Sequence, residues 1–177
     1  VTTSDDEPLL VLRAQYGDRE ALELLLRGIQ PSLLRYLRGL VGTDESADLL
    51  QEVLVLVYRK LRWLDNPAVF RHWAFRIATR AAFRHLRKRR RLPVNVGEDA
   101  LEHVAEPSSP PVDDTTLRRM LGAVSPASRA VLALHFQEEM TLVEVATVLE
   151  IPVGTVRSRL AYGLSTLRKL LADKDKP

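Results

Sequence analysis

The last third of the chain, TLVEVATVLEIPVGTVRSRLAYGLSTL from Thr141 to Leu167, constrains the fold more than any other stretch. Thr141 followed by Glu144 is a capping box, and it starts a helix whose inward face is Val145, Ala146 and Leu149. Ile151 and Pro152 stop that helix. From Thr155 onward Val156, Leu160, Leu164 and Leu167 fall in one narrow sector of a helical wheel. A short helix, a tight turn and a second amphipathic helix predict a helix-turn-helix. Thr155, Ser158, Tyr162 and Ser165 lie opposite the apolar line, with Arg157 and Arg159 to either side. Hydroxyls so placed reach base edges in a major groove, and guanidinium groups hold the phosphates. An ordinary helical hairpin in a bundle fits the same pattern. Glu150 stands where the turn is expected to be left-handed, at a cost of about 1 kcal/mol relative to glycine.

Charge divides the rest of the chain. Residues 1–91 carry a net charge of +6, residues 92–116 carry −6 with no Lys or Arg, and residues 117–177 carry +3. Such a partition predicts two nucleic-acid-facing modules joined by an acidic tether. The tether, LPVNVGEDALEHVAEPSSPPVDDTT, holds four prolines and little periodicity, so a flexible linker is expected over 92–116. No cysteine occurs, which excludes disulfides, thiolate metal sites and cysteine catalysis and fits a reducing cytoplasm. No apolar run approaches the roughly 18 residues of a membrane span, and a soluble protein without membrane insertion is expected. His72, His85, His103 and His135 are scattered, with no metal-ligand spacing and no paired nucleophile, so neither an enzyme nor a cofactor is expected.

Nearly every periodic segment has helical spacing, which predicts an all-α chain of two small helical domains, 1–91 and 117–177. Ser4 with Glu7 forms a second capping box for a helix ending at Gly17, and Asp18 caps the next. That helix is expected to end near Gly28, with Pro31 restarting the chain into another that bears Leu33, Leu34 and Leu37. A long helix is expected from Asp44 to Leu61, a break over Arg62 to Pro67, and a further helix from Ala68 to Arg91. A short helix around 117–123 and one from Ala127 to Gln137, started by Ser125-Pro126, complete the second domain.

The two long helices of the first domain differ in sign. Glu45, Asp48 and Glu52, with Asp44 and Gln51 beside them, form an acidic stripe turned away from Leu49, Leu50, Val53, Leu54 and Val57. It is either a solvated face or a surface offered to a basic partner. Arg71 to Arg91 holds nine Lys and Arg and no acid, and Arg76, Arg80, Arg84, Arg87 and Arg91 share one face. Left unpaired, such a stripe repels itself, and phosphates relieve it by counterion release. Trp63, Phe70, Trp73, Phe75 and Phe83 interleave, which raises base stacking on a single strand; Trp73, sharing a face with Phe70 and Ile77, is expected in the core and Trp63 at the surface.

With these parts in order the chain resembles a bacterial RNA polymerase sigma factor of the extracytoplasmic-function group. The motifs are LLRYLRGLVG at 33–42, DLLQEV at 48–53 and FRHWAFRIATRAAFRHLRKRR at 70–90 for sigma region 2, and SPASRAVLALHF at 125–136 and IPVGTVRSRL at 151–160 for sigma region 4. The resemblance implies a two-lobed helical protein that binds core RNA polymerase and directs it to promoters. It implies that Asp48, Gln51 and Glu52 dock on the polymerase clamp helices. Trp63 and Asn66, with Arg76, Arg80, Arg84 and Arg87, would hold the melted −10 element. Thr155, Arg157, Ser158, Arg159 and Tyr162 would read the −35 element. The polyanionic linker would thread a basic channel that later carries the transcript, and many members of the group are held inactive by an anti-sigma factor. The chain departs from the group at Arg80 and Arg84, where Asn and Asp are usual, and at Glu150 and Tyr162, where a glycine and a basic residue are usual. No particular −10 or −35 sequence is therefore implied. A helix-turn-helix repressor or activator that is no polymerase subunit would explain the second domain but leave the acidic and basic helices without a purpose.

Overall fold

The computed structural model describes residues 6–89 and 122–174. The chain divides into two compact units, Val1–Arg91 and Leu92–Pro177, and among the described residues there is no strand. The expected linker over 92–116 and most of the expected helix around 117–123 lie outside the described residues, as do Ser4 and Arg91.

The first unit contains α1 (Glu7–Gln15), α2 (Arg19–Val41), α3 (Thr43–Lys60) and α4 (Phe70–Arg89), with short 3-10 turns at Leu61–Trp63 and Pro67–Val69 between α3 and α4. α2 packs against all three other helices. The N-cap of α1 is Asp6, without a side-chain cap, and the Ser4 of the expected capping box lies outside the described residues. Gly17 closes α1 at φ 93°, and the Asp18 N–H bonds back to the Arg13 carbonyl at 3.0 Å. Asp18 then caps α2, its Oδ1 accepting from the Ala21 N–H at 3.1 Å. Gly42, at φ 94°, lets α2 turn directly into α3.

α2 does not stop near Gly28; it runs unbroken through Pro31. Leu25, Ile29, Leu33, Leu37 and Leu40 form one buried stripe across the proline. Burying each contributes about 1.5–3 kcal/mol, which together outweighs the roughly 3 kcal/mol that an internal proline costs a helix. The core closes on Tyr36, whose ring meets Phe75 edge-on at 5.3 Å between centroids. The Thr79 hydroxyl donates to the Phe75 carbonyl at 2.8 Å, so the Tyr36 phenol is the donor in its own 2.7 Å bond to Thr79 Oγ1. Burial pushes that phenol far above its usual range.

The second unit contains α5 (Pro126–Leu132), which continues into a π-helical turn (Ala133–Gln137), then α6 (Leu142–Leu149) and α7 (Val153–Lys174). Ser125 caps α5 through its Oγ, which accepts the Ser128 N–H at 3.2 Å, with Pro126 in the first turn. The Thr141 capping box forms as read from the sequence: Thr141 Oγ1 accepts the Glu144 N–H at 3.3 Å, and Glu144 Oε2 accepts the Thr141 N–H at 2.7 Å. Val131, Leu134, Val145, Val148 and Val156 are the buried centre.

Candidate functional site

α3 and α4 bring the acidic and basic stripes onto each other. Glu52 Oε1 accepts from Arg84 at 2.6 Å, and Glu45 Oε2 lies 2.9 Å from His85 Nε2 and 3.2 Å from Arg89 Nη1. The expectation of an unpaired basic face is thus corrected. The acids of α3 neutralise part of it across the helix pair, a contact between segments more than 30 residues apart that no wheel of α4 alone displays. Arg71, Arg76 and Arg80 are engaged as well. Glu52 is likewise not fully free for a partner. Asp48 and Gln51 are exposed, and Asp48 and Arg87 make no ion pair among the described residues. Arg80, Arg84 and Arg87 are exposed, while Arg76 is half-buried.

The 3-10 turns after α3 carry one exposed aromatic ring. Trp63 is 62% exposed, and the Arg62 guanidinium lies 3.8 Å over its ring. Asn66 is exposed, with its side-chain oxygen capping the Pro67–Val69 turn by accepting the Ala68 N–H at 3.0 Å. Its amide nitrogen makes no hydrogen bond among the described residues. Trp73, expected in the core, is half-buried against Phe70 at 6.2 Å between ring centroids.

In the second unit Glu150 takes φ 57° and ψ 43°, the left-handed turn expected of it, and its N–H bonds to the Ala146 carbonyl. α7 follows. Val156 and Gly163 are buried, and Leu160, Leu164 and Leu167 are half-buried on the same side. Gly163 is buried for a steric reason: a Cβ there would lie 2.9 Å from Leu132 Cδ1, so α7 rests directly on α5. Arg157, Ser158, Ala161, Tyr162 and Ser165 are exposed on the opposite side, with Arg168 and Lys169 extending that face one turn further. The Ser158 hydroxyl donates to the Thr155 carbonyl at 3.0 Å, and Thr155 itself is half-buried. Arg159 does not mirror Arg157. It is half-buried, and its Nε is enclosed without a hydrogen-bond partner, because at about 100° per residue it falls beside Val156 and Gly163 rather than at the rim. Arg168 and Lys169 add two cations to this face beyond those expected, and their distance from the apolar line is legible on the same wheel.

The described residues include no group of acids or histidines able to hold a metal ion. No helix among them is long and apolar enough to cross a membrane.

Comparison with known proteins places the two units separately. The family model Sigma-70 region 2 matches residues 25–92, and Sigma-70, region 4 matches residues 120–169. The chain is 29% identical to the RNA polymerase sigma-H factor of Pseudomonas aeruginosa, over 96% of this chain and 95% of that protein. It is 26% identical to the ECF RNA polymerase sigma-E factor of Escherichia coli strain K12, over 87% and 88% of the two chains. Among solved structures, CnrH in complex with the cytosolic domain of CnrY superposes with a TM-score of 0.73 at 23% identity, over 97% of this chain and 100% of that one. The sigma factor RpoE in complex with the anti-sigma factor NepR from Bartonella quintana gives 0.67 at 21% identity, over 87% and 96%. At such identities the structural likeness speaks to the fold.

Proposed function

Since the chain belongs to the sigma-70 family, in its extracytoplasmic-function group, we propose that it binds core RNA polymerase and directs it to promoters by holding a melted −10 element with the first unit and reading a −35 element with the second. The observation that carries this reading is the match to region 2 and region 4 in one chain, each on its own helical unit. A repressor or activator needs only the second. Asp48, with Gln51 beside it and Glu52 in part, is the surface for the polymerase clamp helices. Trp63 and Asn66, with Arg80, Arg84 and Arg87 along α4 and Arg76 at its half-buried edge, line the path of the −10 strand. Arg157, Ser158 and Tyr162 face the −35 groove, with Thr155 and Arg159 nearer the packed side. Bond-forming chemistry belongs to the polymerase, so the chain is no enzyme and acts in the cytoplasm where that polymerase works. An anti-sigma factor is a further partner, of the kind to which the RpoE of Bartonella quintana is bound.

In vitro transcription tests this directly. Core polymerase with the purified chain is expected to start at discrete promoters that core alone ignores, and promoter binding is expected to require the polymerase. Tight binding of the chain alone to double-stranded promoter DNA, without specific transcripts on adding core, would establish the repressor or activator instead.

A further inference from the structure

The loop that bears Trp63 and Asn66 has few backbone hydrogen bonds of its own. Within it the Leu64 N–H reaches the Leu61 carbonyl at 3.0 Å, and the Val69 N–H reaches the Asn66 carbonyl at 3.2 Å. A three-residue 3-10 turn with such bonds is a weak unit. A further fastening comes from α1, which packs against both turns. Gln15, the last residue of α1, points its amide nitrogen between two backbone carbonyls of the loop, donating to Leu61 O at 2.9 Å and to Leu64 O at 2.8 Å. A primary amide has two N–H groups, and here one goes to each carbonyl. These carbonyls bracket Trp63. The Leu61 and Leu64 side chains are buried while Trp63 between them is exposed beneath the Arg62 guanidinium.

We infer that Gln15 is a positioning residue for −10 recognition: its two-pronged grip fixes the presentation of Trp63, and thereby pre-organises the ring on which an unstacked −10 base rests. This inference rests on the proposed role of the Trp63 loop. The chemistry of the grip asks for glutamine. Glutamate at neutral pH would set a carboxylate against two carbonyl oxygens. Asparagine is one methylene short, and leucine matches the shape without a donor. A binding group that is already oriented loses less freedom when its ligand arrives, which is how a residue that touches no DNA raises affinity for it. An open cleft of about 290 Å³ lies beside Gln15, lined also by Leu22, Tyr58 and Arg62.

The test uses the full chain bound to core polymerase and two probes, a single-stranded non-template −10 oligonucleotide and a −35 duplex. Trp63→Ala is expected to weaken the −10 strand about tenfold, and Gln15→Leu by a similar factor. Neither should alter −35 binding or affinity for core. The double variant should bind the −10 strand no worse than Trp63→Ala alone, because Gln15 acts through that ring. In the free full-length chain with a Trp73→Phe background, Gln15→Leu should also make the remaining Trp63 emission more easily quenched by acrylamide. Should Trp63→Ala leave −10 binding unchanged, the loop's proposed role fails and the inference falls with it. Should Trp63→Ala weaken binding while Gln15→Leu does not, the inference alone is overturned. Losses that simply multiply in the double variant, or that extend equally to −35 and core binding, would mark Gln15 as a general structural residue and overturn it as well. Gln15→Asn carries the same comparisons if the leucine variant does not fold.

Discussion

Asp18 joins two helices through one carboxylate, one oxygen capping the Ala21 N–H and the other accepting from Arg13 Nε at 2.8 Å. Those bonds, the backbone one first, hold its pKa below the ordinary aspartate value. Glu7 is shifted the other way. Burial raises its pKa, and the nearby Arg71 and His72 offset only part of the shift. The signs follow by linkage. A carboxyl depressed in the folded state contributes stability above its unfolded pKa and loses it as pH falls through the folded value. A carboxyl raised in the folded state contributes below its unfolded pKa and loses that as pH rises through the folded value. Asp18→Asn is therefore expected to destabilise the first unit at neutral pH and to differ least from wild type in strong acid. Glu7→Gln is expected to stabilise it at neutral pH, with the gain fading in acid. Both tryptophans lie in this unit, so denaturant titrations followed by tryptophan emission at pH 7 and at about pH 3 check both signs.

Residue detail also changes how polymerase docking should be probed. Glu52→Arg would remove the Arg84 pair and oppose two guanidinium groups, mixing an internal effect with an external one. Asp48 has no such partner among the described residues. Asp48→Arg is expected to abolish pull-down by core polymerase while leaving thermal unfolding nearly unchanged, since exposed charges contribute about 0–1 kcal/mol to stability whereas a like-charge clash in an interface costs several.

At the scale of the element, α7 must lie flat against α5 for its other face to meet a groove. Gly163 makes this close approach. Gly163→Val is expected to cost about 1–3 kcal/mol by overpacking against Leu132, and to weaken −35 binding for every sequence through displacement of the helix. On the outer face the outcomes should separate. Tyr162→Ala should shift which −35 sequence is preferred, by about 1–3 kcal/mol at one or two base pairs. Arg157→Ala should weaken all sequences alike and lower the salt dependence by about one unit of slope. Competition binding with a −35 library at two salt concentrations measures both. A preference profile reshaped by Arg157→Ala and untouched by Tyr162→Ala would mean that the helix enters the groove rotated from the face described.

At the scale of the whole molecule, each unit has its own buried centre, and promoter selection is proposed to need both contacts on one chain. Two linked contacts act at an effective concentration that separate pieces lack. Cleaving the chain between residues 92 and 116 is therefore expected to lower promoter affinity of the reconstituted holoenzyme by a factor of about 100 or more, read by gel shift with the two fragments added in equal amounts.

The features legible before folding lie mostly within single helices. The Thr141 capping box, the left-handed turn at Glu150 and the apolar line of α7 were all legible, because a cap, a turn and a helical face each depend on residues no more than a few positions apart. Pairings across the chain were decided by tertiary structure. Pro31 reads as a break until Leu25 to Leu40 are seen buried on three neighbouring helices, and the stripes of α3 and α4 read as two unpaired faces until Glu52 meets Arg84. Gln15 gave no signal at all, since a glutamine at a helix end becomes a clamp only when carbonyls 46 and 49 residues away are folded to within 3 Å of it. Local pattern encodes which side of a helix is apolar; which other helix covers that side, and which polar groups then meet at its edges, depends on contacts between residues far apart in the chain.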